Sequence, residues 1–235
     1  MSSRGSGLTL MAVALGLIGY FIFQSALGIN TKVDDIPTIL LNSSSNSLNI
    51  SIGFILVAVG LTVHGAGILS TRGTAAGTAE SVGIYCIMTA ILIWVTSISL
   101  GFALIELGDT FGPAAAGAAA GDAAAAAAAG ALAVAGGAVQ ATNVAASTMG
   151  SLLAGIGWIC IGWAYRGSDV KGALSFIPLS WLAILAGLIL VVANLVIAQS
   201  DADLAQQISA ISFILITLWS VSRGVALMRT GNQKA

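Results

Sequence analysis

The sequence predicts an all-α fold: a polytopic membrane bundle of six transmembrane helices arranged as three hairpins, with both termini in the cytoplasm. Three observations lead there. Hydrophobic residues make up 57% of the 235 and charged residues only 7%, at a mean hydropathy of +1.01. Soluble domains carry roughly a quarter charged residues, so a surface this poor in charge has to be covered by lipid. Apolar runs long enough to cross a bilayer recur along the whole chain, and nearly all Lys and Arg fall to one side of them.

A crossing helix needs about 20 apolar residues, each adding roughly 1.5 Å of rise. The first run, 8–29, follows Arg4 and ends in Ala26-Leu27-Gly28; it shares the outline of a signal peptide but is longer than a typical signal core. A polar loop, 30–48, centres on Ser43 to Ser45. The second run, 49–70, carries Gly53, Gly60, Gly65 and Gly67, and the third, 82–106, carries Thr89, Thr96 and Ser97. Small residues and hydroxyls of this kind let helices approach and bond in lipid, where no hydrophobic force drives them together.

The stretch 113–146 is Ala- and Gly-rich, with Ala123 to Ala129 unbroken and Asp122 before them. Alanine favours helix but buries too little area to drive insertion. The stretch therefore reads as a low-complexity outer segment: a flexible loop, an interfacial helix or, against the charge pattern, a seventh span. The fourth run, 147–166, presents Ser147, Gly150, Ser151, Ala154 and Gly157 at helical spacing, and 174–198 and 207–228 complete the set. The whole chain, 1–235, forms one membrane domain.

Orientation follows from the cations, which concentrate on cytoplasmic loops. Six spans with the N-terminus inside place Arg4, Arg72, Arg166, Lys171, Arg223, Arg229 and Lys234 on the inner side and Lys32 alone outside. A seventh span at 113–146 would move all those from Arg166 onward to the outside and reverse the bias. Tyr85, Trp163, Tyr165, Trp181 and Trp219 fall toward the inner ends of their spans, where amphipathic rings anchor at the headgroups. Trp94 and Trp158 lie nearer the middle, as packing residues. The expected location is the cell membrane (plasma or inner), crossed several times.

Ionisable and polar groups within spans are costly and mark functional candidates. Here they are few: His64 in the second span, Arg223 in the last, Asn194 in the fifth and Glu106 at the outer end of the third. His64 has the means to line a polar cavity or to bond a neighbouring helix. Arg223 is placed to snorkel to the lipid phosphates, and Asn194 to tie two helices. Glu106 and Asp109, three residues apart, share a helix face and suit either a cation vestibule or a solvated cap. Cys86 and Cys160 lie at similar depth to His64, so a soft-metal site would need three helices to converge on them.

No catalytic, cofactor-binding or metal motif emerges, no glycine loop cradles phosphate, and no basic patch suits nucleic acid. The sequence alone favours a non-catalytic accessory or structural subunit, with the lipid bilayer and other membrane subunits or further copies of itself as partners. The alternative is a channel or facilitator for a small solute, with its pathway through the bundle.

Overall fold

The structure, a computed structural model, describes residues 2–75, 77–166, 170, 172–174 and 176–232. Eight α-helices run through them: α1 (Ser3–Met11), α2 (Val13–Leu27), α3 (Ile36–Ser45), α4 (Ser47–Ser70), α5 (Thr78–Ala119), α6 (Ala123–Tyr165), α7 (Leu179–Leu195) and α8 (Ala202–Asn232). Among the described residues there is no strand. Six helical stretches are long and apolar enough to cross a membrane: α1 with α2, then α4, α5, α6, α7 with its 3-10 extension, and α8. The chain is a multi-pass membrane protein.

The first span is stepped at Ala12, whose N–H reaches back to Thr9 at 3.2 Å. Thr9 Oγ1 bonds to the Gly5 and Ser6 carbonyls, the back-bonding that bends helices. Past α2 the chain turns at Gly28, whose φ of +92° suits glycine. The Asn42 amide caps the Leu27 carbonyl at 2.6 Å. Asp35 then caps α3 by accepting from Thr38 N.

The segment 113–146 takes none of the three forms weighed for it. It completes α5 and α6, helices of 42 and 43 residues, so each is about 60 Å long by helical rise, twice the roughly 30 Å of hydrocarbon. Local chemistry explains the hairpin between them. Gly121, at φ +91°, ends α5: its N–H bonds Ala118 O at 3.0 Å, and Asp122 N bonds Gly117 O at 3.1 Å. That pair of bonds is a Schellman stop. Asp122 then starts α6 by accepting from Ala124 N and Ala125 N. Consequently Glu106 and Asp109 are not end caps of a helix, because α5 runs on through Pro113 to Ala119.

The spans form a closed ring. Each packs on its sequence neighbours, the first closes onto the sixth, and no helix pair shows comparable backbone contact across the centre. The start of α1 and the end of α8 share one end of the ring (the terminal end), and the α5–α6 hairpin projects from the other (the hairpin end). Glycines set the closest seams. A Cβ on Gly60 would meet the Gly16 backbone, one on Gly19 would lie 2.5 Å from Gly53 O, and one on Gly187 2.5 Å from Gly155 O. Gly7 with Gly224 and Gly83 with Gly157 seam the first span to the sixth and the third to the fourth. α3 packs against α5 and α6 at the hairpin end, with Ile39 and Leu40 buried beside Leu104 and Phe111.

Aromatic placement divides the anchor residues. Tyr85, Trp163 and Trp181 are exposed on the ring's outer surface, with the Arg166 guanidinium over both indoles at 5.1 and 5.7 Å. Tyr165 and Trp219 are only 4% and 1% exposed and face the ring interior, so they are not headgroup anchors. Their position near a span end says how deep they lie but not which way they point.

Candidate functional site: a polar cavity within the ring

Closely packed helices around an empty axis leave the centre to side chains, and the two ends of the ring use it differently. Toward the hairpin end lies a cavity of about 450 Å³, lined from all six spans, within the volume range of small-molecule sites. Its walls carry side-chain amides from Gln24, Gln140, Asn143, Asn194, Gln199 and Gln206. Hydroxyls come from Tyr20, Ser97, Ser151, Ser209 and Thr217. Among the described residues the only charged one in the lining is Lys32, which is exposed.

The polar lining is held in place by its own bonds. Asn194 Nδ2 donates to Leu190 O at 2.9 Å and to Ser209 Oγ at 3.0 Å, joining α7 to α8 as expected and placing both residues in the cavity wall. The Tyr20 hydroxyl lies beside the Gln24 and Gln206 amides. A strap crosses near the mouth: Val33 N donates to Asp203 Oδ1 at 2.9 Å, and Gln140 Nε2 donates to Val33 O at 3.3 Å. Deeper in, Trp94 meets Phe213 edge to face across the ring at 5.3 Å between centroids.

Toward the terminal end the ring is filled. His64 from α4 stacks with Trp158 from α6 at 6.4 Å, and Trp158 meets Trp219 from α8 at 5.0 Å. Tyr165 stacks with Trp219 at 5.7 Å, and its hydroxyl lies 3.1 Å from Thr74 Oγ1 in the loop after α4. Alternate spans, the second, fourth and sixth, thus supply an aromatic plug. The loop itself is organised by buried Glu80. Its carboxylate accepts from Gly73 N at 2.7 Å, Ala75 N at 2.9 Å, Thr74 N at 3.2 Å and Thr74 Oγ1 at 3.3 Å.

The structure therefore separates the residues singled out from the sequence. Asn194 lines the cavity and His64 belongs to the plug. Arg223 is buried beyond the plug, 9% exposed, and is not snorkelling at the surface; its Nε has no partner among the described residues. Glu106 is exposed and neither it nor Asp109 lines the cavity; Asp109 accepts from Ser44 on α3 at 2.9 Å. Cys86 and Cys160 are free and half-buried. Among the described residues no three His, Cys, Asp or Glu converge as a metal set, so His64, Cys86 and Cys160 do not join.

Sequence reasoning missed Glu80, Trp158, Tyr165, Trp219 and most of the cavity amides. One signal was present. Gln206, Ser209, Phe213 and Thr217 recur at helical spacing on α8 and line the cavity, and Tyr20 and Gln24 do the same on α2. The chain matches no known protein family, no curated protein and no solved structure.

Amides and hydroxyls set into an otherwise apolar wall offer donors and acceptors together, without a fixed charge to hold an ion at depth. Moving an ion into such a site exacts a desolvation cost that dipoles alone offset poorly. A small uncharged solute with both N–H or O–H and an oxygen acceptor loses little on entering.

Proposed function

We propose that this protein is a passive facilitator for small uncharged polar solutes, with the pathway along the axis of the six-helix ring. The observation that carries the reading is the cavity: all six spans contribute to its wall, and amides and hydroxyls are set into that otherwise apolar wall. A subunit that serves only by packing has no use for a hollow interior with amides from four of its six spans in the wall. That moves the channel alternative ahead of the accessory role the sequence favoured. No catalytic step belongs to this reading.

Orientation enters as part of the proposal. Arg72 and Arg166 lie at the terminal end beside the starts and stops of α4, α5 and α6, and Lys32 lies at the hairpin end. By the cation rule the terminal end faces the cytoplasm and the cavity opens away from it.

The test is solute flux. Vesicles loaded with the purified chain should shrink and then reswell in urea or glycerol gradients faster than protein-free vesicles, by light scattering, while potassium conductance stays at background. Asn194→Leu, which places an apolar side chain in the wall and frees Ser209 of its partner, should slow the reswelling. Rates equal to protein-free vesicles would refute the proposal.

A second reading, an accessory subunit in a larger assembly or a homo-oligomer, is favoured by one observation. The projecting hairpin is almost uncharged, with Asp122 its single ionisable residue between 113 and 146, and Val134 is 76% exposed. Stoichiometric co-purification of another membrane chain after gentle extraction would support it.

A further inference from the structure

We infer that the aromatic plug is a second solute site, at which His64 Nε2 and the Trp219 indole N–H hydrogen-bond the uncharged molecule that leaves the cavity toward the terminal end. This rests on the facilitator reading and adds to it the place where the solute is selected.

The plug begins where the cavity stops. Leu61 and Thr217 line the cavity's deep end; His64 follows Leu61 by three residues on α4, and Trp219 follows Thr217 by two on α8. A solute moving along the axis meets these side chains next, within about one helical turn. Both pack against Trp158, the 2%-exposed indole between them.

The polar atoms of this layer are buried and unused. His64 Nδ1 lies 3.0 Å from the Leu10 carbonyl, near the step in the first span. A carbonyl only accepts, so Nδ1 carries the proton of that bond, and in the neutral ring Nε2 is left as an acceptor. His64 Nε2 has no partner among the described residues, and neither do Trp219 Nε1 and Ser220 Oγ. Folded chains seldom leave such atoms unpaired, because their desolvation goes uncompensated. Here one acceptor and one donor go unpaired on two side chains that touch the same indole. A packing core had cheaper choices: phenylalanine at 219 would fill much the same space with nothing to satisfy.

The chemistry that fits is a small molecule presenting an N–H or O–H to His64 Nε2 and an oxygen to the Trp219 N–H. Urea, small amides and polyols meet it; cations do not, since the nearest buried charge is the Arg223 guanidinium one turn beyond Trp219.

Two conservative variants test this in the vesicle assay. Trp219→Phe removes the N–H together with the five-membered part of the indole and keeps a six-membered ring against Trp158 and Tyr165. His64→Asn keeps an N–H for the Leu10 carbonyl and lacks Nε2. Each should lower urea flux about tenfold, the loss of roughly one transition-state hydrogen bond, with the melting midpoint in detergent unchanged. The double variant should lose less than the product of the two, because both groups hold one molecule. Wild-type flux with both variants unaffected would overturn the second site and leave the facilitator standing. Absence of wild-type flux above protein-free vesicles would overturn both. If Trp219→Phe melts early, His64→Asn carries the test alone.

Discussion

The two ends of the ring are cut from the same six helices and come out opposite. In the terminal half, glycines face backbone across several seams: Gly7 on Gly224, Gly60 on Gly16, Gly83 on Gly157 and Gly67 on Leu10. The helices are drawn in, and His64, Trp158, Tyr165 and Trp219 close the axis. In the hairpin half Gly19 still faces Gly53 O and Gly108 faces Leu40 O, but glycines at two further seams receive aromatic rings. Phe54 lies against Gly101 and the Trp94 indole against Gly150. Rings set in these two seams stand the helices apart, and the axis is left to a largely apolar cavity with amides and hydroxyls in its wall. The lesson is that a glycine in a membrane helix narrows or widens a bundle according to what faces it.

Substitutions at the terminal seams should do most damage. A Cβ on Gly60 would run into the Gly16 backbone and lie 3.0 Å from Ala12 O, none of which can swing aside. Gly60→Val is expected to cost at least the roughly 1–3 kcal/mol of ordinary overpacking and to abolish the monodisperse peak on size exclusion. A variant that stayed monodisperse with an unchanged melting midpoint would mean the seam is looser than described.

Next comes the plug. Trp158→Ala should cost about 3–5 kcal/mol, as for a buried aromatic, and should speed solute flux while blurring the distinction between urea and larger polyols. Unchanged selectivity would break the division into a holding half and a closing half. The smallest effect is expected in the projecting hairpin. A Cβ on Gly130 meets nothing within 4 Å, so Gly130→Ala should raise helix stability by about 0.5–1 kcal/mol and leave flux untouched. A loss of stability there would show that the hairpin is packed against something.

Much of the fold was legible because burial in lipid writes itself as hydropathy. All six expected runs overlap the six membrane-length helices, and the small-residue faces of the second and fourth spans do form seams. The hairpin was missed because alanine is nearly silent on a hydropathy scale, although Gly121-Asp122, a helix stop followed by a helix cap, was there to be read. The cavity was harder. Gln24 and Gln206 sit near span ends, and Gln140 and Asn143 lie outside the expected runs, so all resemble headgroup-level polarity until the ring turns them inward. For the same reason Trp219 passed for an anchor. Depth follows from position along the chain, but the direction a side chain faces depends on which helix comes to lie opposite.

The central claim, a solvent-accessible interior reached from the hairpin end, is tested most directly at Thr217. It lines the cavity on α8, 15 residues from Ala202, about 22 Å into the helix by its rise. With Cys86 and Cys160 replaced by alanine, Thr217→Cys should react with a membrane-impermeant thiol reagent added on the hairpin side. A cysteine at lipid-facing Ile211, 51% exposed on the ring's outer surface, should not react. A Thr217→Cys that stays unmodified from that side, or reacts only from the terminal side, would contradict a cavity open at the hairpin end.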